Sequence, residues 1–272
     1  MIRTRPPIPE TEEGEVVDPT LSEATPSSLS LEARGRMESA LGETVFLGDW
    51  SGMTFLHFEV EADRLAEVVP FTLDLCEGRA FVSLVAFTMR RFRLSRGGKA
   101  TAWLTAPLAT QRFLNLRTYV SGPHGAGIFF VHEWLDHALA VRLGPSTFGL
   151  PYRRGRLDYQ NHTDAVSGSV FADGVEGRFS GNPAGPPRVA AAGSRDEFLL
   201  ERYTAYTAAG FRPLAFRVWH EPWSFRTLET EQLTMMEFLR SLRQPWTNTL
   251  RFAGAACSEG VEDVWMGRPR FA

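Results

Sequence analysis

The chain has 272 residues, is 43% hydrophobic and carries a formal net charge of -3 at pH 7. This composition can supply a sizeable core, in one large domain or in two smaller ones. A small net charge, without a basic stripe interleaved with aromatic residues, argues against nucleic-acid binding. No run of about 18 apolar residues occurs, so we expect no membrane span.

Two features favour a cytoplasmic location. No apolar segment of the kind found in secretory signals follows Met1. The two cysteines, Cys76 and Cys257, lie far apart in the sequence and have no metal-ligand spacing. We therefore expect reduced thiols in a cytoplasmic protein.

Residues 1–44 differ in composition from the rest of the chain. They are rich in Pro, Glu, Ser and Thr and poor in large apolar residues. Such a segment buries too little surface to offset the entropy lost on ordering. We predict a disordered tail, with a short helix between Leu31 and Leu41 that docks on the body. Residues 45–272 show no repeat and no convincing internal boundary, and are predicted to form one domain.

The body reads mainly as strands, taken in chain order. Strands are predicted at 53–60, 80–89, 113–120, 127–131, 166–171, 176–181, 213–223, 249–258 and 262–266. Helices are predicted at 62–69, 133–143 and 228–242, and one more runs into 198–206 from a capping box at Ser194 and Glu197. Turns are predicted at Gly97-Gly98 and Asp173-Gly174. Many strands, few helices and no regular βαβ alternation predict a mainly β (β-rich α+β) fold, an antiparallel sandwich or barrel.

Three motifs fail as signatures of known chemistry. In "HEWLDH" (132–137) the two histidines are five residues apart, whereas a zinc-protease helix needs them four apart on one face. "GPHGAG" (122–127) lies between two strands, whereas a dinucleotide loop lies between a strand and a helix. No G-x-S-x-G elbow is present. We therefore expect neither a metal site nor a cofactor.

The strand "FLNLRTYV" (113–120) contains an amide and a guanidinium within an apolar run. Alternation along a strand puts Phe113, Asn115, Arg117 and Tyr119 on one face and the apolar residues on the other. Two interpretations stay open at this point. The polar face is solvated, or it lines a cavity in which Arg117 binds a carboxylate bidentately between aromatic walls.

The segment "VWHEPWSF" (218–225) places His220, Glu221 and Trp223 together at a strand end. The simpler interpretation is a strand terminus in which His220 satisfies backbone groups. The alternative is that His220 or Glu221 faces the same cavity and acts as an acid or base.

Several segments, in order, resemble the YqjF-like family of bacterial proteins of unknown function, over about residues 45–270. These segments are "FLHFEVEADRLAEVVP", "LNLRTYV", "FGLPYRRGRL", "FLLERYTAY", "VWHEPWSF" and "SEGVEDVW". The resemblance implies a fold similar to that of acetoacetate decarboxylase, a cone-shaped antiparallel β-barrel with flanking helices and a central cavity. It also favours the cavity-lining interpretation of Asn115, Arg117 and Tyr119.

The sequence departs from the decarboxylase pattern where that enzyme has its two lysines. There the first lysine forms an imine and the second lowers the pKa of its amine. The counterpart here is "GLPYRR", which places Tyr152 and Arg153 at these positions. A phenol cannot form an imine, and Lys99, the only lysine of the chain, lies in a predicted solvated turn. Imine-forming decarboxylation is therefore not expected.

Three functional hypotheses follow. The first is binding of a small anionic or carbonyl-bearing molecule by Asn115, Arg117 and Tyr152, with Tyr119 and Trp223 as walls. The second is a lyase or hydrolase that transfers protons through Tyr152 with Arg153, whose charge would lower the tyrosine pKa, or through His220 with Glu221. The third is a non-catalytic interaction module with a filled interior and an exposed apolar patch. The expected partner is a small molecule, and the decarboxylase resemblance leaves a homo-oligomer open.

Overall fold

The computed structural model describes residues 27–97, 102–209 and 212–272. Most of the predicted disordered tail (residues 1–26) lies outside the described residues, as do Gly98 of the predicted turn and Lys99. The strands are β1 (Thr44–Val60), β2 (Thr72–Leu73), β3 (Ala80–Leu94), β4 (Gln111–Gly122), β5 (Gly125–Leu135), β6 (Tyr152–Arg154), β7 (Arg156–Asn161), β8 (Val166–Ala172), β9 (Val175–Arg188), β10 (Thr204–Thr207), β11 (Leu214–Trp219), β12 (Phe225–Leu233), β13 (Arg251–Gly267) and β14 (Arg270–Phe271). The helices are α1 (Leu29–Glu38), α2 (Ala62–Ala66), α3 (Ala102–Thr105), α4 (Ala138–Phe148), α5 (Arg195–Leu200) and α6 (Met235–Ser241).

Seven of these strands close a hydrogen-bonded ring. Around the ring the order is β11, β10, β5, β4, β3, β1 and β13, and pairing of β13 with β11 completes it. The sheet continues outward from β13 through β12, β9, β8 and β7, while β2, β6 and β14 pair with β4, β5 and β11. The predicted mainly β class is confirmed. Most pairings are antiparallel, but β5 pairs in parallel with β10 and β6.

Several predicted elements differ from the structure, and in three of them sheet pairing overrides the local pattern. The helix predicted at 133–143 begins only at Ala138, since residues through Leu135 pair with β4. The helix predicted at 228–242 is strand β12 as far as Leu233, with buried Phe225 and Leu228, and only then α6. The two strands predicted at 249–258 and 262–266 are one continuous strand, β13.

Other local predictions are confirmed. The hairpin of β8 and β9 turns at Asp173-Gly174, where both residues have positive φ. Helix α5 begins at Ser194, whose Oγ accepts from the Glu197 N–H at 3.1 Å. The Glu197 carboxylate in turn accepts from the Gly193 N–H at 2.7 Å, which is close to a reciprocal capping box.

The helix predicted to run into 198–206 is shorter than expected. It ends at Leu200, so the predicted helical segment 198–206 is mostly loop and strand β10.

Both faces of β4 are buried, and each faces a different core. Leu114 and Leu116 pack in the cluster that contains Trp134 and Phe238. Phe113 packs in a second cluster on the other side of the sheet. The solvated-face interpretation of the Asn115 and Arg117 side is therefore wrong, since these two side chains are only 8% and 9% exposed.

Helix α1 packs against the outside of the ring. Ala33 and Met37 are buried against Tyr203 and Trp219. The Ser30 hydroxyl donates to the His220 carbonyl at 2.6 Å and accepts from Trp219 Nε1 at 3.2 Å. The helix thus fixes the segment that follows β11. No helix in the described ranges is long and apolar enough to cross a membrane.

Candidate functional site

A pocket of about 280 Å³ lies inside the ring, since every one of the seven ring strands contributes lining side chains. Much of the wall is aromatic, including Trp50, Phe87, Phe113, Phe130, Phe216 and Trp223. Polar lining groups include Gln111, Asn115, Arg117, Glu133, Tyr152 and His220. Apolar walls with a few polar groups are typical of small-molecule sites.

Unsatisfied polar atoms are concentrated around this pocket. Ten buried side-chain nitrogens and oxygens in the described parts of the chain lack a hydrogen-bond partner. Five of the ten belong to lining residues: Trp50 Nε1, Gln111 Oε1, Asn115 Oδ1, Arg117 Nε and Glu133 Oε2. Because buried polar atoms are nearly always paired, this concentration of unpaired atoms marks the pocket as the candidate site.

The register of strands β4, β5 and β6 aligns three of the polar side chains that line the pocket. Asn115 on β4 is opposite Glu133 on β5, and Glu133 is opposite Tyr152 on β6. Directly opposed residues share a face of the sheet, so their side chains form a row. We call Asn115, Glu133 and Tyr152 the polar row. It is flanked on β4 by Phe113, whose ring meets that of Tyr152 edge-on at 6.1 Å.

Two arginines, Arg117 and Arg202, line the pocket, and Arg202 is paired with Asp74. One guanidinium nitrogen of Arg117 donates to the Leu199 carbonyl at 3.0 Å, the guanidinium carbon lies 5.9 Å from the centre of the Phe55 ring, and Nε has no partner. None of the ion pairs between described residues includes Arg117. Burial accordingly lowers the pKa of Arg117.

The nearby carboxylate of Glu201 accepts hydrogen bonds from donors other than Arg117. It accepts from the Trp223 N–H at 2.9 Å and from the Tyr203 hydroxyl. Its charge still influences Arg117 through space, but without an ion-pair contact. Arg117 therefore keeps hydrogen-bonding capacity for an anion that enters the pocket.

Burial favours the uncharged forms of the two ionisable members of the polar row, Glu133 and Tyr152. Burial raises the pKa of Glu133 well above its ordinary value, because a buried site disfavours the charged carboxylate. Burial and the neighbouring Glu133 raise the pKa of Tyr152 well above 10. This contradicts the hypothesis that Tyr152 is a base with a lowered pKa, because the structure shifts that pKa in the opposite direction.

His220 and Trp223 form another wall of the pocket, with ring centres 4.4 Å apart. The His220 ring donates from Nδ1 to the Glu221 carbonyl at 2.7 Å, which leaves Nε2 without a proton in the neutral ring. Burial lowers the pKa of His220 to about 4, so the ring is neutral at physiological pH. The Glu221 side chain is exposed and does not line the pocket, so the predicted His220–Glu221 side-chain pair does not form.

Tyr119 lies behind the pocket and does not line it. Its hydroxyl donates to the Leu199 carbonyl at 2.9 Å, so it accepts from the Ser83 hydroxyl at 2.7 Å. Ser83 in turn accepts from His57 Nδ1 at 2.8 Å. Because Leu199 O also accepts from Arg117, this buried chain helps to hold the guanidinium in place. The structure therefore does not place Tyr119 in the pocket wall, where the sequence had predicted it.

Arg153 is also outside the pocket. It follows Tyr152 on β6, and successive residues of a strand point to opposite faces. Its side chain is 47% exposed and lies 3.7 Å from Asp173. Of the sequence-predicted site residues, the structure therefore brings together Asn115, Arg117, Tyr152, His220 and Trp223 at the pocket.

Sequence reasoning missed Glu133 and Gln111. Glu133 was assigned to a helix start within "HEWLDH", so its side chain had no predicted direction. A signal was available, since "GIFFVHEW" continues as an apolar strand in which one acid stands out. Gln111 precedes the predicted strand by two residues; its Nε2 donates to Leu108 O at 2.8 Å while Oε1 is unpaired. No group of three or more metal-ligating side chains occurs within the described residues.

A protein-family comparison then decides the relationship. Residues 48–253 match the family model DUF2071, described as an uncharacterized conserved protein. The chain belongs to this family. The chain is also 30% identical over 189 residues to the uncharacterized protein YqjF of Bacillus subtilis (strain 168). These aligned residues cover 67% of this chain and 75% of that protein. The resemblance stated from the sequence motifs is confirmed.

Solved structures place this DUF2071 chain in the acetoacetate decarboxylase-like fold. The acetoacetate decarboxylase of Legionella pneumophila superposes with a TM-score of 0.59 at 11% identity, over 85% of this chain and 88% of that one. The enduracididine biosynthesis enzyme MppR complexed with pyruvate has a TM-score of 0.60 at 14% identity, over 86% and 93%. An acetoacetate decarboxylase-like enzyme of Sphingomonas wittichii RW1 has a TM-score of 0.56 at 12% identity, over 85% and 94%. At these identities the likeness establishes the fold alone.

Proposed function

We propose that this protein binds a small organic molecule, with a carboxylate or carbonyl group, in the pocket inside the ring. Arg117 is the anion anchor, Asn115 and Tyr152 are hydrogen-bonding groups, and Trp223 belongs to the apolar wall. The proposed binding involves no imine, because the resemblance to the decarboxylase pattern puts Tyr152, a phenol, where that enzyme has its reactive lysine. We place this function in the cytoplasm, where Cys76 and Cys257, both free, stay reduced.

The single observation that carries this proposal is the buried guanidinium of Arg117 without a carboxylate partner. An unpaired buried charge costs several kcal/mol, and a bound carboxylate would offset that cost. The pocket volume of about 280 Å³ is near the lower end of the range for ligand sites, which suits a small molecule. A structural neighbour described as complexed with pyruvate adds support for a small acid.

Calorimetric titration of a panel of small mono-carboxylates tests the proposal. A charge-assisted hydrogen bond contributes about 1.5–3 kcal/mol, so Arg117→Met is expected to weaken binding by roughly 10- to 150-fold. Arg153→Met is the matched control, because this arginine is on the same sheet but outside the pocket, and it should bind like wild type. Thermal unfolding checks that both variants fold.

Two results would contradict the anchor. One is a wild-type protein that binds no acid of the panel. The other is an Arg117→Met variant that folds and binds as tightly as the wild type and the Arg153→Met control.

A second candidate is a lyase or hydrolase in which His220 transfers a proton. The observation in its favour is the fixed tautomer of His220, whose Nε2 is a free base in a ring that lines the pocket. Arg153 and Glu221 take no part in this version, since neither side chain lines the pocket. Incubation of oxo acids in D₂O, followed by NMR, would show deuterium exchange or product in wild type and none in His220→Gln. Equal exchange in both proteins would rule out this role.

A further inference from the structure

Glu133 is a buried carboxyl that the proposed anchor does not use. Its side chain is 3% exposed, lines the pocket and has one oxygen, Oε2, without a partner. It is the middle member of the polar row, between the amide of Asn115 on β4 and the phenol of Tyr152 on β6. A polar atom in this position needs a partner from within the pocket.

No cation among the described residues forms an ion pair with Glu133. None of the ion pairs found between described residues includes it, and burial is the only cause that raises its pKa. The ionisable groups around the pocket are Tyr152 on β6, Arg117 two positions beyond Asn115 on β4, and His220 and Arg202 on the other walls. A buried carboxyl without an ion pair favours its protonated form, and a protonated carboxyl has one O–H donor.

The pocket thus has two chemically different ends along β4. Arg117 attracts negative charge, whereas the polar row offers neutral donors and acceptors. A second carboxylate would be poorly accommodated at the row, because there it would have no cation. A carbonyl or hydroxyl oxygen suits it, since the carboxyl O–H and the Tyr152 hydroxyl can donate to it.

We propose that the Glu133 carboxyl donates a hydrogen bond to an uncharged oxygen of the bound molecule, which is therefore a monocarboxylic acid with an additional carbonyl or hydroxyl group. This inference rests on the proposed function, because it takes Arg117 as the site of the carboxylate. It adds the class of molecule and assigns Glu133 as the residue that selects it.

Matched ligands test the assignment. Pentanoate and hexanoate are compared with the same acids bearing a carbonyl or hydroxyl group at each carbon in turn. Wild type, Glu133→Gln and Glu133→Leu are titrated with every acid. Glutamine is neutral and keeps a donor, whereas leucine of similar volume keeps none. Thermal unfolding confirms that each variant folds.

We expect wild type to bind at least one oxygenated acid about tenfold more tightly than the plain acid. Glu133→Gln should keep that preference within about threefold. Glu133→Leu should lose it while binding the plain acid within about threefold of wild type. The inference is wrong if no oxygenated acid is preferred by wild type, or if Glu133→Leu keeps the preference.

The two proposals fail in different ways. Plain acids that bind wild type and depend on Arg117, without any gain from an added oxygen, would overturn only the role of Glu133. Failure of all acids to bind wild type would overturn the Arg117 anchor and this inference with it.

Infrared spectroscopy provides a readout that needs no ligand. Wild type at pH 7 should show the carbonyl stretch of a protonated carboxyl, and Glu133→Gln should lose that component. Glu201→Gln is the control, because Glu201 is a second buried carboxyl and its substitution should leave the Glu133 component in place. A wild-type spectrum without any component that Glu133→Gln removes would show an ionised Glu133 and contradict the inference.

Discussion

Replacing Glu133 by glutamine should increase stability, and the gain should grow as the pH rises. The folded protein holds this carboxyl in a buried site without a cation, so its pKa lies well above the ordinary value of 4.5. The unfolded chain releases the proton near pH 4.5, whereas the folded chain keeps it. Glutamine has no proton to release in either state.

The sign and size of the effect follow from proton linkage. Between pH 4.5 and the raised pKa, the unfolded state binds fewer protons than the folded state, so wild-type stability falls as the pH rises. The slope for one group is at most about 1.4 kcal/mol per pH unit. The stability difference between Glu133→Gln and wild type should therefore widen by about that amount per unit across the window.

Urea unfolding at pH 5, 6, 7 and 8 measures this difference. The control is Glu237→Gln on α6, where the side chain is 63% exposed and only 3.7 Å from Arg240. Its stability relative to wild type should change little with pH, because surface ion pairs contribute at most about 1 kcal/mol. If the difference in free energy of unfolding between Glu133→Gln and wild type stayed constant with pH, or became smaller toward pH 8, Glu133 would not be protonated in the folded protein.

Further expectations concern the groups around the pocket. Ser30→Ala should lower the free energy of unfolding by about 1–3 kcal/mol, because two buried partners lose a hydrogen bond. Ser39→Ala, at the exposed C-terminal end of the same helix, should change it little in the same urea assay, and equal effects would contradict the docking of α1. Burial lowers the pKa of His57 to about 3, so the contribution of its neutral ring to stability is complete above pH 6.5 and is lost as the pH falls. The free energy of unfolding of His57→Gln should therefore depend less on pH than that of wild type below pH 6.5. An identical pH slope for the two proteins would contradict this. Tyr152→Phe should weaken ligand binding by about two- to tenfold, because one hydrogen bond is lost. The pH dependence of binding between pH 6 and 9 should stay the same, since burial keeps the phenol protonated. If the titrations showed that this substitution removes a pH dependence, Tyr152 would be a titrating group.

The local sequence pattern was sufficient to predict elements that depend on residues close together in the chain. The strand around residues 113–120 was predictable from its apolar run, and the β8–β9 hairpin from Asp173-Gly174. The start of α5 was predictable from Ser194 because capping involves residues only three apart. The family motifs were sufficient for the fold, which no periodicity in the chain could have specified.

Errors in the site came from treating neighbours in sequence as neighbours in space. Arg153 and Glu221 follow Tyr152 and His220 in the chain, but their side chains are exposed and do not line the pocket. Tyr119 shares the β4 face with Arg117, yet its hydroxyl bonds to Ser83 and Leu199 O behind the pocket. Side-chain direction decided these outcomes.

The sequence by itself determined a mainly β chain of the DUF2071 family, with an arginine in an apolar strand. Only the tertiary structure decided that both faces of β4 are buried, that the Arg117 face lines the pocket, and that Glu133 joins it. The physical reason is that ring closure through β11 and β13 and the register of β4, β5 and β6 join residues far apart in the chain. Burial and the pKa values that follow from it exist only after those long-range pairings form.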